Sequence, residues 1–271
     1  MEFIFITNDP NVASTMALAG VDRIMVDLEI NGKIKRQGHL DTVISCHTFE
    51  DISEIRQCLD RCNVSSLMVR INPLHDGSES EIDQVISRGA DRIMLPMFTH
   101  PDEVSRCIEL IRGRVPLTLL LETSAALARL PQILDVSGFD DIHIGLNDLH
   151  LDMGLDFMFE LFSSGLLDHV AKLIRASGHC FGIGGVSALG SGLIPAHLIL
   201  AAHIELGSER VILSRSFANF LDDNFCAAHE IQRLKNFILQ DDLNLPSLIR
   251  ELHLRILDVA AENRLGTPDS L

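Results

Sequence analysis

The chain has 271 residues, 46% hydrophobic and 22% charged, enough for one large domain or two small ones with a sizeable core. Its formal net charge of −16 repels the phosphates of nucleic acids and of anionic membranes, so neither is expected as a partner. The first residues carry only the short apolar run Phe3–Ile6 between Glu2 and Asn8-Asp9, which is neither a signal peptide nor a span, and no other run reaches membrane length.

Eight short runs read as strands: Phe3–Thr7, Arg23–Asp27, Ser66–Asn72, Arg92–Phe98, Leu117–Thr123, Asp141–Asn147, Cys180–Gly185 and Arg210–Ser216. Most are continuous rather than alternating, the pattern of strands buried on both faces. Helical spacing separates them over about 10–20, 49–62, 76–88, 101–113, 125–136, 157–177 and 190–206. Gly or Asp marks the junctions Gly20-Val-Asp22, Gly89-Ala-Asp91, Gly138-Phe-Asp140 and Gly207-Ser208, as helix C-caps require. Strand–helix alternation in eight units predicts a (β/α)8 barrel, of the TIM type, with extra C-terminal helices. The alternative is an open doubly wound sheet; the strand number and the acids at strand ends favour the barrel. Residues 29–48 make a long connection in which Val43-Ile-Ser-Cys46 has the composition of a short extra strand. Residues 1–220 are expected to form the barrel. Residues 221–271 supply two further helices, near 222–239 and 246–263, packing on the barrel or on a neighbouring subunit. Six cysteines without a CxxC pair read as free, buried thiols in a reducing cytoplasm.

Several charged residues end these apolar runs. Glu122 follows Leu119-Leu-Leu121, and Asp148 closes Ile142-His-Ile-Gly-Leu-Asn147. Acids ending neighbouring parallel strands share one rim of the sheet, where two carboxylates and water can hold one hard cation. An Asp capping a helix, or a strand-end ion pair, is the plainer account of either residue alone. Oxygen ligands without a convergent His or Cys favour Mg²⁺ or Mn²⁺ over zinc. Arg70, inside Leu67-Met-Val-Arg-Ile-Asn72, must be paired because its charge cannot be shed. It is read either as half of a core ion pair or as a bidentate grip on a substrate carboxylate or ketone. Asp27 and Glu29 point the same way by alternation, and could orient Arg70, hold a metal-bound water, act as base or form a rim network. In the loop Asn31–His39, His39 is a candidate acid–base group, and His47 is similar; a solvated loop is the equal alternative. Gly182–Gly185 and Ser214–Ser216 suit a phosphate or an anionic substrate tail, though close packing also calls for glycine.

Taken together, Val26-Asp-Leu-Glu29, Val69-Arg-Ile-Asn72, Ile93-Met-Leu-Pro96, Leu120-Leu-Glu-Thr123 and Ile144-Gly-Leu-Asn-Asp-Leu149 resemble the HpcH/HpaI aldolase and citrate lyase β-subunit family in order and spacing, over about residues 3–187. The resemblance implies a TIM barrel, a homo-oligomer (trimer or hexamer), a divalent metal on Glu122 and Asp148, and Arg70 against the oxo acid or carboxylate. Pro96, Gly145 and Asn147, within the same motifs, are assigned with Arg70 to substrate contact, and Arg70, His39, Asp27 and Glu29 to catalysis. The implied chemistry is Mg²⁺- or Mn²⁺-dependent, reversible cleavage of a 4-hydroxy-2-oxo acid to pyruvate, or a related 2-oxo acid, and an aldehyde. The alternatives are an acyl-CoA lyase of the citramalyl or malyl type, and a non-catalytic barrel that keeps the metal site but has lost its base. The chain departs from the pattern at Ile30, where the aldolase branch has His and the lyase branch Asp, and at Met97, where the lyase branch often has Lys. His39 is the candidate to supply the missing base.

Overall fold

The apolar runs form parallel strands with both faces covered. The computed structural model describes residues 1–31, 46–62, 65–214, 217 and 226–266. Its strands are β1 (Glu2–Ile6), β2 (Arg23–Asp27), β3 (Ser66–Arg70), β4 (Arg92–Leu95), β5 (Leu117–Leu121), β6 (Asp141–Ile144), β7 (Cys180–Val186) and β8 (Arg210–Leu213). Each pairs in parallel with the next, and β1 also pairs with β8 with Glu2 opposite Arg210, so the sheet closes into a barrel. Closure bears out the (β/α)8 expectation and removes the open-sheet alternative.

Alternation along the strands sorts the side chains into two cores. Ile4, Met25, Met68, Met94 and Leu120 meet inside the barrel, flanked by Ile6 and Ile212. Phe5, Ile24, Leu67, Ile93, Leu119 and Ile142 belong to a larger core shared with the surrounding helices. Two residues before the interior apolar layer lies a ring of charge. Asp141 accepts from Thr118 Oγ1 and from Arg92 Nη1 at 3.2 Å. The guanidinium groups of Arg23 and Arg210 stand 3.9 and 3.5 Å from the same carboxylate. Glu2 ties Arg23 to Arg210 at 2.7 and 2.9 Å. This network closes the N-terminal end of the barrel and leaves the other end for a site.

The helices depart from the sequence reading where glycine or proline intervenes. The run 125–136 is two short helices, Ser124–Ala128 and Leu130–Leu134, the second with Pro131 in its first turn. The run 157–177 is broken at Gly165, which takes a left-handed conformation (φ 76°) between Glu160–Ser163 and Leu166–Ala176. The run 190–206 becomes helical only at Ala196, after Pro195. Strand β6 ends at Ile144, earlier than expected, and Leu146–Asp152 is a helix. The proposed strand over 43–46 lies mostly outside the described residues.

After the barrel, Ala227–Ile238 packs on Ala196–Leu206 and Pro10–Leu18, and Lys235 Nζ donates to the Gly20 carbonyl at 2.7 Å. Helix Leu245–Gly266 packs on Ala196–Leu206 and Glu160–Ser163. It buries Leu252, Ile256 and Ala260, a stripe at four-residue spacing, while Leu254 and Leu257 face outward. Cys58 and Cys107 are buried, but Cys46 and Cys226 are exposed, contrary to the expectation of buried thiols. No helix among the described residues is long and apolar enough to cross a membrane.

Candidate active site at the C-terminal mouth

Because the strands are parallel, every strand-end residue reaches the same end of the barrel. A cavity of about 290 Å³ opens there, with Arg70, Glu122, Gly145, Asn147 and Asp148 in its wall. Below them it is lined by apolar interior residues, among them Met25, Met94 and Leu120.

Arg70, the last residue of β3, donates through Nε and Nη2 to the two carboxylate oxygens of Asp27, each at 2.7 Å. Strand pairing sets this up, since Asp27 and Arg70 are register partners on β2 and β3. Glu29 Oε2 lies 3.2 Å from Arg70 Nη1. Burial alone would lower the guanidinium pKa, but Asp27 first, then Glu29 and Glu122, raise it above its ordinary value. Of the two sequence readings of Arg70, the core ion pair is the one seen, and the residue also lines the cavity. The segment holding Glu29 is pinned to β3. Asn72 Oδ1 accepts from the N–H groups of Ile30 and Asn31 at 2.9 and 3.0 Å, and Glu81 holds Asn72 in turn through its N–H and Nδ2. His47 Nδ1 accepts from the Asp27 N–H at 2.9 Å, so this imidazole supports the end of β2.

Glu122, the residue after β5, is 2% exposed, and its Oε1 accepts from the Met97 N–H at 3.1 Å. Met97 has φ 55°, a left-handed conformation rare outside glycine. That twist accompanies the N–H contact with the carboxylate, and it is a feature the sequence reading missed, because nothing in a methionine announces a positive φ. Gly145 is required for the same reason of space: a Cβ there would stand 2.8 Å from Glu122 Oε2. Asp148 sits in the first turn of Leu146–Asp152 rather than closing a strand, but this helix starts at the mouth, so the carboxylate still lines the cavity. Burial, then Glu29 and Asp148, push the Glu122 carboxyl well above the usual carboxylate range, against the pull of Arg70 and the Met97 N–H.

Among the described residues, Asp27, Glu29 and Glu122 thus act on the Arg70 guanidinium, and Asp148 acts on Glu122 from the same cavity wall. This donor set fits a hard divalent cation, which would relieve the repulsion felt by Glu122. The described residues bring no group of three or more His, Cys, Asp or Glu together for a metal. A cation here would take Glu122 and Asp148 from the protein and its other oxygens from substrate and water, as Mg²⁺ commonly does.

The remaining expectations divide. Gly145 and Asn147 line the cavity, whereas Pro96 is buried after β4 and is not among the lining residues. His39 lies outside the described residues, as do Lys33, Lys35 and Arg36. Gly184, Gly185 and Ser214 reach the cavity wall, while Arg215 and Ser216 lie outside the described residues. One lining residue was missed altogether: His143, in the middle of β6. Alternation from Asp141 through His143 to Gly145 would have found it.

Fold and site together define a (β/α)8 barrel whose strand-end acids gather with Arg70 at the C-terminal mouth. The family model for HpcH/HpaI aldolase/citrate lyase matches residues 3–158, and the chain belongs to that family, one of aldolase- and lyase-type enzymes. Solved structures agree on the fold. The HpcH/HpaI aldolase from Desulfitobacterium hafniense DCB-2 superposes with a TM-score of 0.64 at 15% identity, over 90% of this chain and 95% of that one. An HpcH/HpaI aldolase/citrate lyase family protein from Burkholderia cenocepacia J2315 gives 0.65 at 14% identity, over 86% and 94%. The citrate synthase SbnG gives 0.61 at 16% identity, over 81% and 88%. Among curated protein sequences none matches this chain.

Proposed function

We propose that the protein is a divalent-metal-dependent carbon–carbon lyase of the aldolase type, reversibly cleaving a 4-hydroxy-2-oxo acid to pyruvate or a related 2-oxo acid and an aldehyde. The observation that carries this reading is the meeting of Glu122, Asp148 and Arg70 on one small cavity at the mouth of a barrel of this family. Glu122 and Asp148 would hold Mg²⁺ or Mn²⁺, which supplies Lewis acidity for a 2-oxo acid's carboxylate and ketone oxygens. Arg70 offers the substrate oxygens its cavity-facing N–H groups, while Asp27 and Glu29 hold its plane fixed. Charge that grows on the ketone oxygen as the bond breaks meets a cation already oriented, so little reorganisation is needed in the transition state. In this proposal the 4-hydroxyl proton goes to a base, either His39 or a water of the metal site. The apolar wall of Met25, Met94 and Leu120 limits water around the carbanion-like fragment.

The test is consumption of pyruvate by metal-stripped protein with a panel of aldehydes, with and without Mg²⁺ or Mn²⁺. Glu122→Ala is expected to lose metal binding and turnover together. Metal-dependent turnover retained in that variant would sink the assignment. Cleavage of hydroxyacyl-CoA thioesters but not of free oxo acids would move the protein to the acyl-CoA lyase class.

A further inference from the structure

The floor of the cavity holds a histidine whose hydrogen bonding is incomplete. His143 lies on the interior side of β6, between Asp141 below and Gly145 at the mouth. It is 1% exposed and lines the cavity. Its Nε2 has no hydrogen-bond partner among the described residues. Buried polar atoms are nearly always paired, because leaving one unmet is costly, so an exception in a cavity wall calls for a ligand. The neighbours at this depth cannot serve: Met25, Met94, Leu120 and Ile212 are apolar.

The next strand makes room for the ring. A Cβ on Gly182 would stand 2.5 Å from His143 Nδ1, and one on Gly184 would stand 3.9 Å from Nε2. Strand β7 thus gives up side chains where the imidazole and the space beside it lie. Burial, followed by the fields of His203, Arg210, Arg23 and Arg70, lowers the His143 pKa to about 3. The ring is therefore neutral, with one N–H to donate, and Arg210, Arg23 and Arg70 are the charged groups that oppose its protonation. His203 is also buried with an unpartnered Nε2, but its Nδ1 meets Ser208 Oγ at 3.1 Å and it does not line the cavity.

We propose that His143 is a specificity-determining residue that donates a hydrogen bond to an oxygen on the part of a 2-oxo acid that reaches down into the barrel. This rests on the oxo-acid reading of the mouth. Interior positions two residues apart on a strand are separated by about 6.6 Å. A 2-oxo acid held by its carboxylate and ketone at the level of Glu122 and Arg70 would bring an oxygen on its fifth carbon to the imidazole. The substrate class is then a 2-oxo acid that carries, besides the 4-hydroxyl, an oxygen on its fifth carbon, in a hydroxyl or a carboxylate, rather than an aliphatic tail.

The experiment is calorimetric titration of the Mg²⁺-loaded full chain with pyruvate and three five-carbon 2-oxo acids that lack a cleavable 4-hydroxyl: 2-oxopentanoate, 5-hydroxy-2-oxopentanoate and 2-oxoglutarate. The wild type is expected to bind one or both oxygen-ended acids about tenfold to hundredfold more tightly than 2-oxopentanoate. The hydroxyl and carboxylate arms identify which oxygen is read. His143→Met, matching its methionine neighbours, should erase the preference, leave 2-oxopentanoate bound at least as well, and raise the melting temperature by removing an unmet polar atom. His143→Gln should keep part of the preference. Equal binding of all three acids by the wild type overturns the inference while sparing the oxo-acid reading. So does a His143→Met variant that weakens all three equally or melts lower, which would make the residue structural. If the wild type binds neither pyruvate nor any of the three, the oxo-acid reading itself fails and this inference falls with it.

Discussion

The guanidinium of Arg70 is gripped along one edge by Asp27 and at one corner by Glu29, so it cannot swing to meet a ligand. The ligand must come to it, which favours a small planar group such as a 2-oxo acid. Arg70→Met would leave buried carboxylates without their counter-charge. It is expected to cost about 3–5 kcal/mol of stability by urea denaturation, in addition to any loss of turnover. The buried histidines impose a different dependence. His143 and His203 are held neutral down to about pH 3, chiefly by burial, whereas an unfolded chain protonates them near 6.5. Above pH 6.5 neither state takes up protons at these sites. Below it only the unfolded chain does, so stability falls as the pH drops from 6.5 toward 3. Between pH 6.5 and 5 each should remove about 2 kcal/mol, and urea midpoints should show His143→Met losing one of the two contributions. The residues legible in the sequence were those whose charge broke an apolar run: Arg70, Glu122, Asp148, Asp27 and Glu29. His143 is hidden within the run Ile142–Ile144, because one polar residue on the interior face of a strand does not end the run. The Met97 N–H was hidden because donor direction is set by backbone torsion and not by residue type.

At the scale of elements, β6 and β7 shape the cavity by what they omit. Gly145 leaves room for the Glu122 carboxylate, and Gly182 leaves room for the His143 ring and also approaches the Arg210 backbone. Gly145→Ala would press a methyl group against both Cβ and Oε2 of Glu122, so under the proposed function it should weaken Mg²⁺ binding in a metal titration and also lower the melting temperature. Gly182→Ala meets the backbone as well, because the Arg210 carbonyl would stand 2.9 Å from the new methyl group. It should lose about 1–3 kcal/mol of stability. Strand order and most junctions were legible, because buried parallel strands are continuous apolar runs and Gly20, Gly89, Gly138 and Gly207 all take positive φ at the turns. Helix bounds were not, wherever a local break overrode the apolar spacing, as at Gly165, Pro131 and Pro195. The helix Leu146–Asp152 escaped notice because its first residues continue the apolar run of β6.

Across the whole molecule the two ends of the barrel do different work. The arginines around Asp141 hold the N-terminal end shut, and acids at the opposite end line the cavity to which the proposed chemistry is assigned. Asp141→Ala should lower the melting temperature strongly, because Arg23, Arg92 and Arg210 lose a shared partner, yet leave Mg²⁺ affinity at the mouth unchanged below the melting transition. The charge count alone did not reveal this division; it depends on which face of each strand turns inward, and hence on register. The pairing of β1 with β8 also bears on how the chain comes off the ribosome. Arg23, one partner of Glu2, follows it closely, but Arg210 follows 208 positions later. At roughly 5–20 residues per second, the first strand waits on the order of 10–40 s with one edge open. Through that interval the growing sheet offers unpaired backbone to any passing strand, and shielding by a chaperone would matter most before the eighth strand is made.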